Sequence, residues 1–193
     1  MFIPEPFNKL RRVPQVILPK DAALICAYTG ITTGSKVVDS GTGSGWLAIF
    51  IARIVMPTGK VISYEKKKEF ADIANQNVKK LGLDKWIDIR IKDITRGIDE
   101  RNIDVITLDL PEPWKVLKHA KKALKTNGYI ATFLPTVNQV ERLVLKAEKL
   151  GFNHLITFGN ELRELLVRKD ATRPVTKGLT HTAYITILRK PVR

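Results

Sequence analysis

Four carboxylates, Asp39, Glu65, Asp93 and Asp109, each close a short apolar, β-branched run, and glycines at 41, 43 and 45 follow the first of them. Glycines at alternate positions permit backbone geometry that other residues resist, and they let a ligand lie close against the main chain. The helix expected after Gly45 offers free N–H groups at its N-terminus. Glu65, about 20 residues on and at the end of the next apolar run, is placed to accept both hydroxyls of a ribose. The chemistry is therefore that of a nucleoside-cofactor site. Isolated acids at strand ends are ordinarily turn formers or helix caps. Four at the ends of four successive expected strands are better read as one rim.

The spacing narrows the cofactor. A dinucleotide fold wants G-x-G-x-x-G, its third glycine packing helix on strand; here it is G-x-G-x-G, with Asp39 two residues before Gly41. Val37 to Ala48 resembles motif I of the S-adenosylmethionine methyltransferases, in which no pyrophosphate has to be cradled. The plainer alternative is a tight strand–helix turn with no ligand.

The elements that must position these residues follow from hydrophobic period and punctuation. Residues 1–18 read as a proline-interrupted extended segment, and 19–193 as a single domain. Helices are expected over Pro19–Tyr28, Ser44–Val55, Lys67–Leu81, Pro113–Leu124 and Val137–Leu150. Strands are expected over Lys36–Ser40, Lys60–Tyr64, Ile87–Ile91, Ile103–Leu110 and Tyr129–Leu134. Ile103–Leu110 is apolar except for Asp104, Thr107 and Asp109, the mark of a central buried strand. After Gly151 the alternation stops: Phe152–Val167 and Thr180–Leu188 read as two strands joined by the charge-dense stretch Arg168–Gly178. The expected fold is α/β, a doubly wound, mostly parallel seven-stranded sheet with an antiparallel C-terminal hairpin. Ligands of such sheets lie at the carboxyl ends of the strands, where the four acids fall.

Composition bounds the partners. The 193 residues suit one compact domain. Cys26 is the one cysteine, which excludes an intrachain disulfide and a cysteine-built metal site. No metal is expected. Met1–Pro6 has neither the basic start nor the apolar core of a signal peptide, and no apolar run approaches bilayer length; a reducing cytoplasm fits, and no membrane association is expected. The net charge is +14, with 17 basic and 13 acidic residues up to Leu110 and 16 and 6 after it. A chain this basic favours a polyanionic partner, with counterion release supplying affinity. A lysine-rich solubilising surface is the alternative.

Asp109-Leu110-Pro111-Glu112-Pro113-Trp114 follows the central strand. Two prolines stiffen the loop, and Trp114 offers a flat face beside a carboxylate; it equally fits a proline-started helix whose tryptophan packs inward. D-L-P-E-P-W after G-T-G-S-G, with Tyr64-Glu65 between them, resembles the TrmI-type tRNA (adenine-N1)-methyltransferases. The likeness covers nearly the whole chain from Arg11. Residues 11–21, Leu134-Pro135-Thr136, Gln139-Val140, Arg173-Pro174 and His181-Thr182 parallel further family elements.

The resemblance implies that Asp39, Gly41, Thr42, Gly43, Ser44, Gly45, Leu47 and Glu65 hold S-adenosylmethionine, with Asp93 and Ile94 beside its base and Asp109 at the reacting centre. It makes Asp109 the catalytic carboxylate facing the target adenine, whose N1 edge is reached only after the nucleotide is extruded. Pro111, Glu112, Pro113, Trp114, Arg173, His181 and Tyr184 are candidate substrate contacts, although His181 equally suits packing. It implies tRNA as partner and a homotetramer, or a second chain standing in for the family's small N-terminal β domain, since about ten residues precede Arg11. Leu18 stands where the family has tyrosine, Ala183 where it has glycine beside the histidine, and Glu161–Lys169 lacks its R-P-W. Two other readings remain: a same-fold methyltransferase acting on a small molecule such as a corrin precursor, or on protein; and a non-catalytic RNA-binding subunit.

Overall fold

A computed structural model describes residues 2–13, 15–176 and 182–192. In chain order the elements are α1 (Pro19–Thr29), β1 (Lys36–Ser40), α2 (Trp46–Val55), β2 (Lys60–Glu65), α3 (Lys68–Lys80), β3 (Ile87–Ile91), β4 (Ile103–Leu108), α4 (Leu117–Ala123), β5 (Leu124–Leu134), α5 (Val137–Lys149), β6 (Asn153–Gly159), β7 (Leu165–Leu166), β8 (Arg173–Pro174) and β9 (Tyr184–Arg189). Seven strands form one sheet in the order β3-β2-β1-β4-β5-β9-β6, and β7 pairs with β8 apart from it. β1 to β5 pair parallel with one another, whereas β9 is antiparallel to both β5 and β6. The doubly wound, mostly parallel sheet read from the sequence is the fold.

Consecutive residues of a strand face opposite layers, and the central strands are apolar on both faces for that reason. Val37, Val61, Val105 and Ala131 pack under α1, α2 and the end of α3. Val38, Ile62, Ile106 and Ile130 pack under α4 and α5. The N-terminal segment belongs to the first of these layers: Phe7, Leu10 and Ile17 are buried in it, with the Phe7 ring centroid 5.4 Å from that of Trp46.

The sequence reading and the structure differ most in three stretches. The strand expected over 152–167 ends at Gly159, and the described chain beyond it forms an exposed arm in which Leu165–Leu166 pair with Arg173–Pro174. The apolar side chains of that arm (Leu162, Leu165, Val167, Val175) stay exposed, so the period-2 pattern there lacks a sheet to join. The last strand runs Tyr184–Arg189 rather than from Thr180; residues 177–181 lie outside those described. Helix 113–124 divides into a 3-10 turn at Pro113–Lys115 and α4, while β5 begins already at Leu124. The cause is a register shift: Leu124 pairs with Ile103, but the next pair is Tyr129 with Val105, and Asn127 between them takes φ 63°.

Among the described residues no helix is long and apolar enough to cross a membrane, and no cluster of histidine, cysteine or acid could hold a metal ion.

Candidate functional site

The strand order brings the four acids together. β3, β2, β1 and β4 are consecutive neighbours, and Asp93, Glu65, Asp39 and Asp109 stand at or just past their carboxyl ends. Yet the four do different work.

Asp39 faces inward, 2% exposed. Register sets Ser63 of β2 and Thr107 of β4 directly beside it. Its carboxylate accepts from Ser63 Oγ at 2.5 Å and from Thr107 Oγ1 at 2.6 Å. Thr42 Oγ1 lies 2.6 Å from Ser63 Oγ; since the Ser63 proton is used on Asp39, Thr42 is the donor, and the chain of hydroxyls reaches into the glycine loop. Burial raises the Asp39 pKa, and the Ser63 and Thr107 hydroxyls work against that rise.

Glu65 caps the loop from the other side. It accepts the Gly43 N–H at 3.0 Å and the Lys67 N–H at 3.0 Å. Asp93 caps the turn after β3, accepting from the Thr95 N–H and hydroxyl, which hold its carboxyl below the usual carboxylate range. Ile94 beside it is buried.

Asp109 is unlike the other three. Among the described residues none donates a hydrogen bond to its carboxylate, burial pushes its pKa up to about 7, and the charge of Asp39 adds to the rise. Its main chain is fixed, since its N–H donates to the Ser40 carbonyl at 3.0 Å. Gly41 must be glycine for that approach: a Cβ there would lie 2.1 Å from the Asp109 carbonyl oxygen, and its φ is +83°.

Between these walls lies an open cleft, about 280 Å³ when the solvent at its mouth is included. Gly41, Thr42, Gly43, Ser44, Leu47 and Asp109 line it, as do four residues to which the sequence assigned no site role: Gln15, Val16, Ile17 and Trp46. The signal for the first three was the likeness of residues 11–21 to a family entry segment; Trp46 gave none. Ser44 Oγ and Trp46 Nε1 are both buried without a hydrogen-bond partner in the protein. Buried polar groups are ordinarily paired. Two unpaired ones beside a cleft walled by glycines fit a polar ligand that approaches the main chain, as S-adenosylmethionine would.

Asp39, Gly45, Glu65, Asp93 and Ile94 are not among the residues lining this cleft, and neither are Pro111, Glu112, Pro113, Trp114, Arg173 and Tyr184. Trp114 packs against the second core layer with the Arg142 guanidinium 4.3 Å over its ring, which is the inward-packing alternative raised by its proline-started turn. Pro111 is exposed and its carbonyl accepts from Gln139 Nε2 at 3.1 Å; Glu112 pairs with Lys115; Pro113 is buried. Tyr184 opens β9 opposite Leu134 and Gly159, and Arg173 lies on the exposed arm. His181 lies outside the described residues. A second buried acid ties the arm down: Asp21, 1% exposed, accepts from Lys20 Nζ at 2.7 Å, from Asn160 Nδ2 at 3.0 Å and from Thr182 Oγ1 at 3.2 Å. Both ends of the arm therefore meet one carboxylate at the start of α1.

The family model of the GCD14 subunit of a tRNA methyltransferase complex matches residues 6–183. The chain belongs to this family. Among its relatives, a tRNA (adenine(57)-N(1)/adenine(58)-N(1))-methyltransferase TrmI from Methanocaldococcus jannaschii is 38% identical over 210 residues, covering 95% of this chain and 74% of that protein. Two solved structures share the fold at useful identity. A SAM-dependent O-methyltransferase from Thermotoga maritima superposes with a TM-score of 0.91 at 35% identity, over 97% of this chain and 70% of that one. The tRNA (m1A58) methyltransferase TrmI from Aquifex aeolicus gives 0.87 at 29%, over 95% and 73%. In this GCD14/TrmI family member, then, the glycine loop, Glu65 and Asp109 occupy one edge of a methyltransferase sheet.

Proposed function

We propose that this chain transfers a methyl group from S-adenosylmethionine to N1 of an adenine in tRNA. One observation carries the reading: Asp109, a carboxylate without a hydrogen-bond partner among the described residues, lines the same cleft as the glycine loop, in a chain of the GCD14/TrmI family. Gly41 to Gly45, Leu47 and Glu65 hold the cofactor, Asp93 and Ile94 stand by its base, and Ser44 Oγ and Trp46 Nε1 find in it the partners they lack. Asp39 acts one layer back, fixing the loop through Ser63 and Thr42. Residues 19–193 form the methyltransferase unit, with 1–18 as its strap.

S-adenosylmethionine, when bound, supplies an activated methyl group, so positioning provides much of the rate. The chain's own part is to steer the adenine and manage its charge. Alkylation at N1 places positive charge on the ring. The ionised Asp109 carboxylate, accepting from the N6 amino group, stabilises that charge and takes the proton that restores a neutral base. A carboxylate poised near neutrality by burial is suited to that proton. The second half of the chain, at +10, supplies attraction for the phosphate backbone. Family membership favours this reading over a small-molecule or purely RNA-binding role. Assembly as a homo-oligomer, or with a second chain that completes the RNA surface, belongs to the same proposal, as does a cytoplasmic location, which the single cysteine suits.

The test is incubation with labelled S-adenosylmethionine and unmodified tRNA, followed by nucleoside mapping. Label in N1-methyladenosine that disappears with Asp109→Ala supports the proposal. Tight cofactor binding with no transfer to RNA defeats it.

A further inference from the structure

The cleft has two walls that belong to distant parts of the chain. One is the glycine loop with Asp109; the other is the strap ahead of α1, whose Gln15, Val16 and Ile17 face it. We propose that Asn77 is the positioning residue that couples these two walls and so sets how tightly the cleft closes on the methyl donor. The inference rests on reading the cleft as the cofactor site.

Asn77 lies on α3 and is 2% exposed. Its Oδ1 accepts the Arg11 N–H at 3.0 Å, and its Nδ2 donates to the Arg11 carbonyl at 2.8 Å. The side-chain amide thus pairs with Arg11 as a neighbouring strand would. The second Nδ2 proton goes to the carbonyl of Ser44 at 2.9 Å, within the glycine loop. One buried carboxamide therefore bonds the strap and the loop at once, with both of its protons used. Burying such a group is tolerated only when its hydrogen bonds are made, and here all three go to main chain on opposite sides of the gap. Aspartate would set a carboxylate against two carbonyl oxygens; an aliphatic side chain would make none of the bonds.

From Arg11 the strap runs directly along the loop. The Arg12 guanidinium stands 5.9 Å over the Trp46 ring, and a Cβ on Gly43 would lie 3.5 Å from Val13 Cγ2. Gln15 to Ile17 then reach the cleft. Two further contacts from α3 hold the strap at the surface: Gln76 Oε1 accepts from Arg11 Nη1 at 3.0 Å, and Lys80 Nζ donates to the Lys9 carbonyl at 2.7 Å. Being exposed, they compete with water and hold less tightly. Asn77 is where the two walls are fastened together.

The experiment compares wild type, Asn77→Ala, Arg11→Pro and Gln76→Ala. Arg11→Pro strips the N–H that Asn77 accepts without emptying the core, and Leu10 is already extended as a residue before proline must be. With Asn77→Ala and Arg11→Pro, the dissociation constant for S-adenosylhomocysteine by calorimetry and the KM for S-adenosylmethionine rise roughly tenfold. The kcat at saturating cofactor stays within about twofold. Tryptic cleavage of the ligand-free protein accelerates selectively at Arg11 and Arg12 in Asn77→Ala and at Arg12 in Arg11→Pro, which keeps only that site; Gln76→Ala changes each quantity by less than about twofold. Wild-type cofactor affinity in Asn77→Ala overturns the proposal. So does cleavage raised equally throughout the chain, which marks general loosening. Should Asn77→Ala fail to fold, unchanged affinity in Arg11→Pro overturns it. If wild type itself binds no S-adenosylhomocysteine, the proposed function falls instead, and selective cleavage at the strap alone decides whether Asn77 clamps it.

Discussion

The rim formed by β1, β2 and β4 and the arm that leaves β6 are both rich in polar residues, but they use them oppositely. On the rim, hydroxyls and carboxylates are buried and matched: Thr42, Ser63 and Thr107 converge on Asp39, and Glu65 holds two backbone N–H groups. Asp109 is the exception, its carboxylate without a hydrogen bond among the described residues. On the arm, charged and apolar side chains alike face solvent, and the pairing within it is one two-residue bridge. Order is concentrated where a ligand has to be gripped. The arm is tied to the rest of the chain by a few polar contacts, through Asp21 at Asn160 and Thr182 and through Glu164, whose carboxylate accepts the Phe2 N–H at 3.0 Å.

That contrast can be broken by mutation. The largest expected effect is on Asp109: Asp109→Ala lowers single-turnover methyl transfer about 10²–10⁴-fold while cofactor binding by calorimetry persists. Next comes Gly41→Ala, whose added carbon meets the Asp109 carbonyl; a loss on the order of 3 kcal/mol in urea denaturation is expected, together with loss of cofactor binding. Thr107→Val removes one of two hydroxyls from the buried Asp39 and should cost about 2 kcal/mol by the same measurement.

The pH dependence sharpens the role of Asp109. A base must be ionised to act, so kcat/KM should climb about tenfold from pH 6 to pH 8, following a group that titrates at about 7, and be lost as pH falls. The stability sign is the reverse. A folded-state pKa raised above the unfolded value makes the ionised carboxylate destabilising above the unfolded pKa, growing up to about 7. Asp109→Asn should therefore raise the melting temperature at pH 8 and leave it nearly unchanged at pH 4.

The smallest effect is expected on the arm. Arg173→Ala should change stability by less than about 0.5 kcal/mol. If the arm meets RNA, it lowers the salt slope of tRNA binding by about one. A destabilisation comparable to that of Thr107→Val would erase the distinction between the two regions.

Sequence alone determined the sheet and the loop. The order of apolar runs, the three alternating glycines and an acid closing each of four strands are local or periodic signals, and they survive because strand period and turn chemistry act over a few residues. Thr107 inside an otherwise apolar strand was legible as an exception, but neither it nor Ser63 was legible as a partner of Asp39, because that pairing depends on the lateral register of three strands. Tertiary structure decided the rest. It turned Asp39 inward while leaving Asp109 in the cleft, ended β6 at Gly159, packed Trp114 under Arg142, bonded Asn77 to both Arg11 and Ser44, and brought residues 15–17 to the same cleft as the glycine loop. Each of these depends on a contact between residues far apart in the chain, where hydrophobic period carries no information and only packing chooses the partner.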